Sequence, residues 1–251
     1  MYRDADIIDE DPLGIALPSG LLAVNDLADL GEGACNRVGI VLGQVVEDGE
    51  AAGSLAALVA GRVAKSPVQR HIGRVRDGAL ALGAADLTID GSVAVEAADL
   101  DTPNNKGYIV PCTHVGRSGY YLCDDHLATA AGDDYHSLAR RRVVDKAYRI
   151  AYDTLLDYLK DEVACNADGT LVAAVAKAWE ADVVAAIAGQ MTAAGELGND
   201  PADPKDKGVR CTVDRRQNVV STGTVRLDIA VKPYGYAKYI EATLGFTAVQ
   251  S

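Results

Sequence analysis

Two thiols and two imidazoles lie within fifteen residues of one another, in Cys112-Thr-His114 and Cys123-Asp-Asp-His126. Zinc favours such a ligand set, because thiolate sulfur and neutral imidazole nitrogen both suit its tetrahedral coordination. The first pair is Cys-x-His, tighter than the usual gap of roughly two to four residues. It follows a strand-like segment on which alternate side chains point the same way, so both can still face one ion. The competing reading makes Cys112 a buried strand residue, Cys123 a small apolar filler, and Asp124, Asp125 and His126 a polar loop ahead of a helix. No metal is assigned on this pattern; Cys112, His114, Cys123 and His126 are the candidates if one binds.

Other chemistry-bearing residues give less. His136 beside Asp133 and Asp134 has the composition of an acid–base pair. The same residues suit a helix start, where carboxylates complement the positive end of the dipole and the Ser137 hydroxyl can cap; we take that reading. Arg140-Arg141-Arg142 offers groups for phosphate, yet residues 134–163 hold six basic and six acidic side chains. Salt bridges along the helix or to another chain account for them better than nucleic acid does. Gly31-Glu-Gly33 is followed by Asn36 where a dinucleotide turn needs its third glycine, and no glycine-rich loop ends in Gly-Lys-Ser/Thr. Gly116-Arg-Ser-Gly119 is one residue short of a nucleophile elbow, which leaves Ser118 unsupported. The expectation is no catalytic residue, no cofactor and no enzyme.

Composition narrows the partners. A net charge of −12 argues against free nucleic acid and against an anionic membrane, both of which require clustered positive charge. The charge is uneven: residues 1–35 carry eight acidic side chains and one basic, whereas residues 62–76 carry five basic and none acidic. These opposed patches can meet across an interface, although solvated surface charge is the commoner outcome. No apolar run is long enough to cross a bilayer, and the acidic start lacks the order of a signal peptide. Five cysteines at irregular spacing suit reduced thiols. The chain therefore reads as cytosolic, with 49% hydrophobic residues available for a core of small aliphatic side chains.

The elements that must position these residues follow from periodicity. Residues 1–35 have no sustained period and read as an extended N-terminal arm. Residues 38–46 form a β-branched run of the kind found in strands buried on both faces. Leu55, Leu58, Val59, Arg62 and Val63 fall at helical spacing within residues 51–65, and Ser66-Pro67 stops that helix. Short strand-like pieces continue to about residue 105; Pro103-Asn-Asn-Lys-Gly107 is a turn and residues 107–111 another buried strand. Over residues 134–163, Val144, Tyr148, Ala151, Leu155, Tyr158 and Leu159 predict an amphipathic helix of roughly 45 Å. A second helix follows, capped by Thr170, with Leu171, Val175, Trp179, Val183, Ile187 and Met191 on its buried face. Residues 209–213, 219–231 and 238–249 then read as three strands. The expected architecture is α/β (α+β), a mixed sheet packed against two long helices with extended terminal arms. Its divisions are an arm at 1–35, a core at 36–237 and a C-terminal strand at 238–251.

Several of these segments, in order, resemble bacteriophage contractile-tail sheath proteins and related contractile injection systems. They are Ser66-Pro-Val-Gln-Arg-His-Ile-Gly-Arg-Val-Arg-Asp-Gly78, Gly107-Tyr-Ile-Val, Ser118-Gly-Tyr-Tyr-Leu-Cys-Asp-Asp-His126, the run Arg-Arg-Val-Val-Asp-Lys-Ala-Tyr-Arg at 141–149, Gln217-Asn-Val-Val220, and Val231-Lys-Pro-Tyr-Gly-Tyr-Ala-Lys-Tyr-Ile240. The resemblance implies a structural subunit that stacks in six-fold rings around an inner tube and contracts without nucleotide hydrolysis to drive the tube through a cell envelope. Its implied partners are further copies of itself, the inner tail tube protein, the baseplate and the tail terminator. Its implied location is the virion tail, with the host bacterial cytoplasm during assembly. Sheath proteins are usually longer, so this chain matches their conserved C-terminal core. Strands exchanged between neighbours would hold such a polymer together. That makes Tyr239, Ile240, Leu244 and Phe246 candidates on a donated C-terminal strand. Arg62, Arg70, Arg74 and Arg76 are then candidate acceptors of acidic surface, with Arg141, Arg142, Asp145, Lys146 and Arg149 on the long helix and residues 171–197 facing the inner tube. A tail-completion or baseplate protein with the same core, or a small zinc-binding protein, are the alternatives.

Overall fold

The computed structural model describes residues 27–83, 86–89 and 93–243. The first strand is short: β1 (Ala34–Cys35) pairs antiparallel with β7 (Ala128–Thr129). Ahead of it, Leu27 and Leu30 are buried against Tyr108 and Val110, so residues 27–35 pack on the core. The predicted strand at 38–46 divides. Val41 makes an isolated parallel bridge to Ile109, and regular pairing begins only at β2 (Gln44–Glu47). β2 turns through Asp48 and Gly49, both at positive φ, into β3 (Glu50–Ser54). An Asp-Gly pair favours this tight hairpin turn because glycine takes the left-handed region without a Cβ clash.

The helix predicted over 51–65 is therefore shorter: α1 (Leu55–Lys65) opens where the Ser54 hydroxyl accepts from the Ala56 N–H at 3.1 Å. It closes at Ser66 before Pro67, as the sequence requires. β2 pairs on its other side with β4 (Asp86–Thr88), and Leu55, Val59, Leu87, Ile109, Leu122 and Leu127 form one core beneath them. The turn predicted at Pro103 is a short helix, α2 (Asp101–Asn105), held by the Asp99 carboxylate, which accepts from Asp101 and Thr102. Residues 108–110 are buried, and β5 (Pro111–His114) forms a hairpin with β6 (Arg117–Leu122).

The long helix is α3 (Leu138–Leu156), 19 residues where about 30 were predicted. Its buried face is Val143, Ala147, Ile150 and Ala151, whereas Tyr148 and Leu159 are 68% and 66% exposed. Two apolar stripes run along this helix, and the one with small side chains packs closely on α4 (Ala173–Ile187). The predicted face of α4 is where it was expected: Leu171, Trp179, Val183, Ile187 and Met191 are all buried. Thr170 does not cap it; Leu171 bridges Cys165 instead, and α4 starts after Val172. A single π-helical turn at Ala188–Thr192 ends it.

The closing strands are β8 (Val209–Val213) and β9 (Leu227–Val231), a two-stranded antiparallel sheet packed on α4. Between them a four-residue helix, α5 (Val219–Thr222), occupies part of the predicted middle strand because Asn218 caps it and Gly223, in the left-handed region, terminates it. Residues 238–243 carry no strand, and Leu244 and Phe246 lie outside the described residues. The fold is α+β, with its strands spread over four small antiparallel sheets among the described residues.

Candidate functional site

Where β6 leaves the sheet, the chain turns inward and buries two adjacent carboxylates, Asp124 and Asp125, to 4% and 0% exposure. Buried carboxylates need partners, and each finds them far away in sequence. Asp125 Oδ2 accepts from the Ser137 hydroxyl and from the Ala139 N–H, both at 2.9 Å. It thus caps α3 from outside the helix, and Ser137, expected to cap with its own hydroxyl, spends that hydroxyl on Asp125. Asp124 accepts from Lys238 Nζ on both oxygens, at 2.6 and 2.7 Å. His71 Nε2 lies between the two acids, 3.0 Å from Asp124 Oδ1 and 3.3 Å from Asp125 Oδ1.

The electrostatics follow from this packing. Burial lowers the His71 pKa, but hydrogen bonds and charge from Asp124 and Asp125 more than offset it and raise it to about 9. The Gly73 N–H points at His71 Nδ1 from 3.1 Å, a contact that only an unprotonated nitrogen accepts, and this limits the rise. Burial pushes the Asp124 carboxyl up, while hydrogen bonds from His71 and Lys238 win and hold it well below the ordinary carboxylate range. His126, 3.4 Å from Asp124, is lowered because burial outweighs the nearby acids. Two carboxylates therefore face one ammonium and one imidazole, a nearly balanced ion-pair node that ties residue 238 to the core. The Tyr236 hydroxyl adds a bond to Gln69 O at 2.6 Å, and its ring tilts against His71 with centroids 5.5 Å apart. Gln69, His71, Tyr236 and Lys238 border a cleft of about 640 Å³.

The four zinc candidates do not converge. Cys112 is buried on β5 and hydrogen-bonded to Cys123, which lowers its thiol pKa against burial and raises that of Cys123. His114 is exposed at the end of β5, its ring 5.0 Å from Tyr121, and His126 faces Asp124. Among the described residues, the one group of three potential ligands close enough to share an ion is His71, Asp124 and Asp125. Lys238 already supplies Asp124 with a cation. The sequence reading missed this node: it took Asp124 and Asp125 for a solvated loop and His71 for part of a basic run.

The interface candidates divide between internal braces and exposed groups. Arg62 donates to the carbonyls of Asp77 and Gly78, and Arg70 and Arg74 pair with the Asp77 carboxylate at 3.6 and 3.0 Å. Arg142 donates to Val63 O, Ser66 O and Pro67 O, clamping α3 to the end of α1. Asp145 takes two bonds from Arg37 at 2.8 and 2.9 Å and a third contact from Arg141 at 3.0 Å; burial still raises its pKa. Lys146 pairs with Glu196 at 2.6 Å. Arg76 and Arg149 are exposed, as are Tyr239 and Ile240 at 80% and 85%.

Two family models cover nearly all of this chain: DUF2586, N-terminal domain, over residues 22–126, and DUF2586, C-terminal domain, over residues 134–251. The chain belongs to the DUF2586 family. No curated protein matches it in sequence. Solved structures similar to this DUF2586 chain are parts of contractile injection systems. A chain of the anti-feeding prophage baseplate, determined with six-fold symmetry, superposes with a TM-score of 0.62 at 13% identity, over 87% of this chain and 58% of that one. A chain of the anti-feeding prophage helical sheath in its contracted state gives 0.61 at 16%, over 86% and 57%. A chain of the PVC sheath complex, an extracellular contractile injection system in its contracted state, gives 0.61 at 16%, over 92% and 62%. The DUF2586 chain thus shares their fold and spans less than two thirds of each of those chains. No helix among its described residues is long and apolar enough to cross a membrane.

Proposed function

We propose that this DUF2586 chain is a non-enzymatic structural subunit of a contractile tail or injection system, and specifically a sheath subunit that stacks in six-fold rings around an inner tube. The observation that carries the reading is the shared fold over 86–92% of the chain with sheath proteins of two such systems. Two local features support it. The β8–β9 sheet has only two strands among the described residues, so its edges can accept a strand from another copy. Tyr239 and Ile240 are largely exposed just beyond the Lys238 anchor, as a segment handed to a neighbour should be. Its partners on this reading are further copies, an inner tube protein, a baseplate and a terminator, and its place is the tail of an assembled particle.

The similar fold of a baseplate chain favours a second reading, a closed ring at the end of the tube. Negative-stain electron microscopy of the purified chain over a range of concentration and salt separates them. Hollow rods or stacked rings are expected for a sheath, single rings for a baseplate component. A monomer that neither self-assembles nor decorates tube protein would reject both.

A further inference from the structure

A second apolar stripe, on α3 and the turn after it, is left exposed among the described residues. Tyr148, Tyr152, Leu156 and Leu159 are 68%, 56%, 42% and 66% exposed, and the two tyrosine rings stack with centroids 6.4 Å apart. Taking roughly 200 Å² for each side chain, they present on the order of 450 Å² of contiguous ring and aliphatic surface. That is within the range of the largest patch on a typical monomer, a size that is often functional, and a stable interface of about 800 Å² per partner would be completed by its rim. The rim is mostly acidic: Asp153, Asp157, Asp161 and Glu162 are all exposed, against Arg149 and Lys160.

A complementary surface exists on the same molecule. Val75 is 37% exposed, beside exposed Arg76, and the Arg62 bond to Asp77 O brings this turn against the end of α1, where Lys65 is exposed. Asp77 pairs with Arg70 and Arg74, while Lys65 and Arg76 face out. Arg142 bonds the end of α1 to the N-terminal half of α3, so the basic patch is offset from the tyrosine stripe by roughly 9 to 21 Å along the helix axis. Faces of opposite charge held apart on one rigid helix do not meet within one molecule; they suit a head-to-tail contact between copies, the heterologous kind that builds rings or filaments.

We propose that the Tyr148/Tyr152 stripe of α3 docks on the Val75 patch of a second copy of this chain, its acidic rim meeting Lys65 and Arg76. The contact rests on the assembly reading above and names one interface within it. The test is sedimentation velocity of the full chain across a concentration series at low and moderate salt, paired with electron microscopy.

Y148S/Y152S should lose association at concentrations where the parent associates. D153K/D157K and K65E/R76E should each lose it alone and recover it when mixed, because each then offers the face that the other lacks. Association that survives in Y148S/Y152S, or that is not restored by mixing the two charge variants, overturns the docking contact while rods or rings from the parent leave the assembly reading intact. Small oligomers that depend on the stripe but never form rings or rods would uphold the contact and reject the sheath reading. A parent chain that stays monomeric throughout rejects the contact outright. Far-ultraviolet circular dichroism on each variant confirms that the fold is retained.

Discussion

Replacing Asp125 by alanine should cost about 3 kcal/mol of stability, although its side chain is fully buried and polar. Three losses contribute. The N-terminus of α3 loses its cap, worth about 1 kcal/mol. The Ser137 hydroxyl, 1% exposed, is left without its acceptor at 2.9 Å, and an unpaired buried hydroxyl costs about 1–3 kcal/mol. His71 loses one of its two carboxylate neighbours, while Asp124 remains at 3.0 Å, so this loss is about 1 kcal/mol. Relief of the buried charge offsets part of the sum. Asp125→Asn, which keeps one acceptor oxygen, should cost less than Asp125→Ala. The assay is urea unfolding read by the single tryptophan, Trp179, which is 8% exposed and stacked on Tyr158. Helical circular dichroism read in parallel tests whether α3 unfolds with the rest. Because Ser137 acts through Asp125, Ser137→Ala should destabilise the parent by about 1 kcal/mol and the Asp125→Ala background hardly at all. Full additivity of the two, or a change below about 0.5 kcal/mol for Asp125→Ala, would refute the capping argument.

Acid stability offers an independent check on Asp124. Its carboxyl is held below its ordinary value of 3.8 in the folded chain, so its contribution is present above that pH and is lost as pH falls toward the lower folded value. Asp124→Asn should therefore be less stable than the parent at neutral pH, with the gap closing below pH 3.8, measured as unfolding midpoints across an acid series. Ile187, fully buried between α3 and the β8–β9 sheet, should lose about 3 kcal/mol on truncation to alanine, with a lower urea midpoint and an unchanged fold.

The buried face of α4 was legible in the sequence because its large side chains recur every four residues and no second stripe competes. α3 was harder. Val143, Ala147 and Ile150 form one apolar stripe and Tyr148, Tyr152 and Leu156 another, and the predicted set mixes the exposed Tyr148 and Leu159 with Ala151, which is buried, and Leu155, which packs on the core. Which one is buried is decided by the close approach of α4, a tertiary fact that favours small side chains. The Asp48-Gly49 hairpin carried a readable turn signal that the helical spacing of Leu55 to Val63 overrode. The ion-pair node left no local trace: His71 and Asp124 are 53 residues apart, and Lys238 is 114 from Asp124. Two adjacent aspartates look solvated until the fold supplies their partners. Of the residues predicted for a donated strand, Tyr239 and Ile240 are exposed, and Leu244 and Phe246 lie outside the described residues.

The node has a consequence for how the two halves of the chain relate. His71, Asp124 and Asp125 all come from the region matched by the N-terminal family domain, and Ser137, Ala139 and Lys238 all come from the region matched by the C-terminal one. The long helix that opens the C-terminal half takes its capping group from the other side of the boundary. Neither half closes its own hydrogen bonds: severed, one would hold two buried acids sharing the single imidazole of His71 and the other an uncapped helix. The pair should melt in one cooperative transition, and a hybrid joining halves of two relatives should fold only when both halves keep matching sides of this charge cluster.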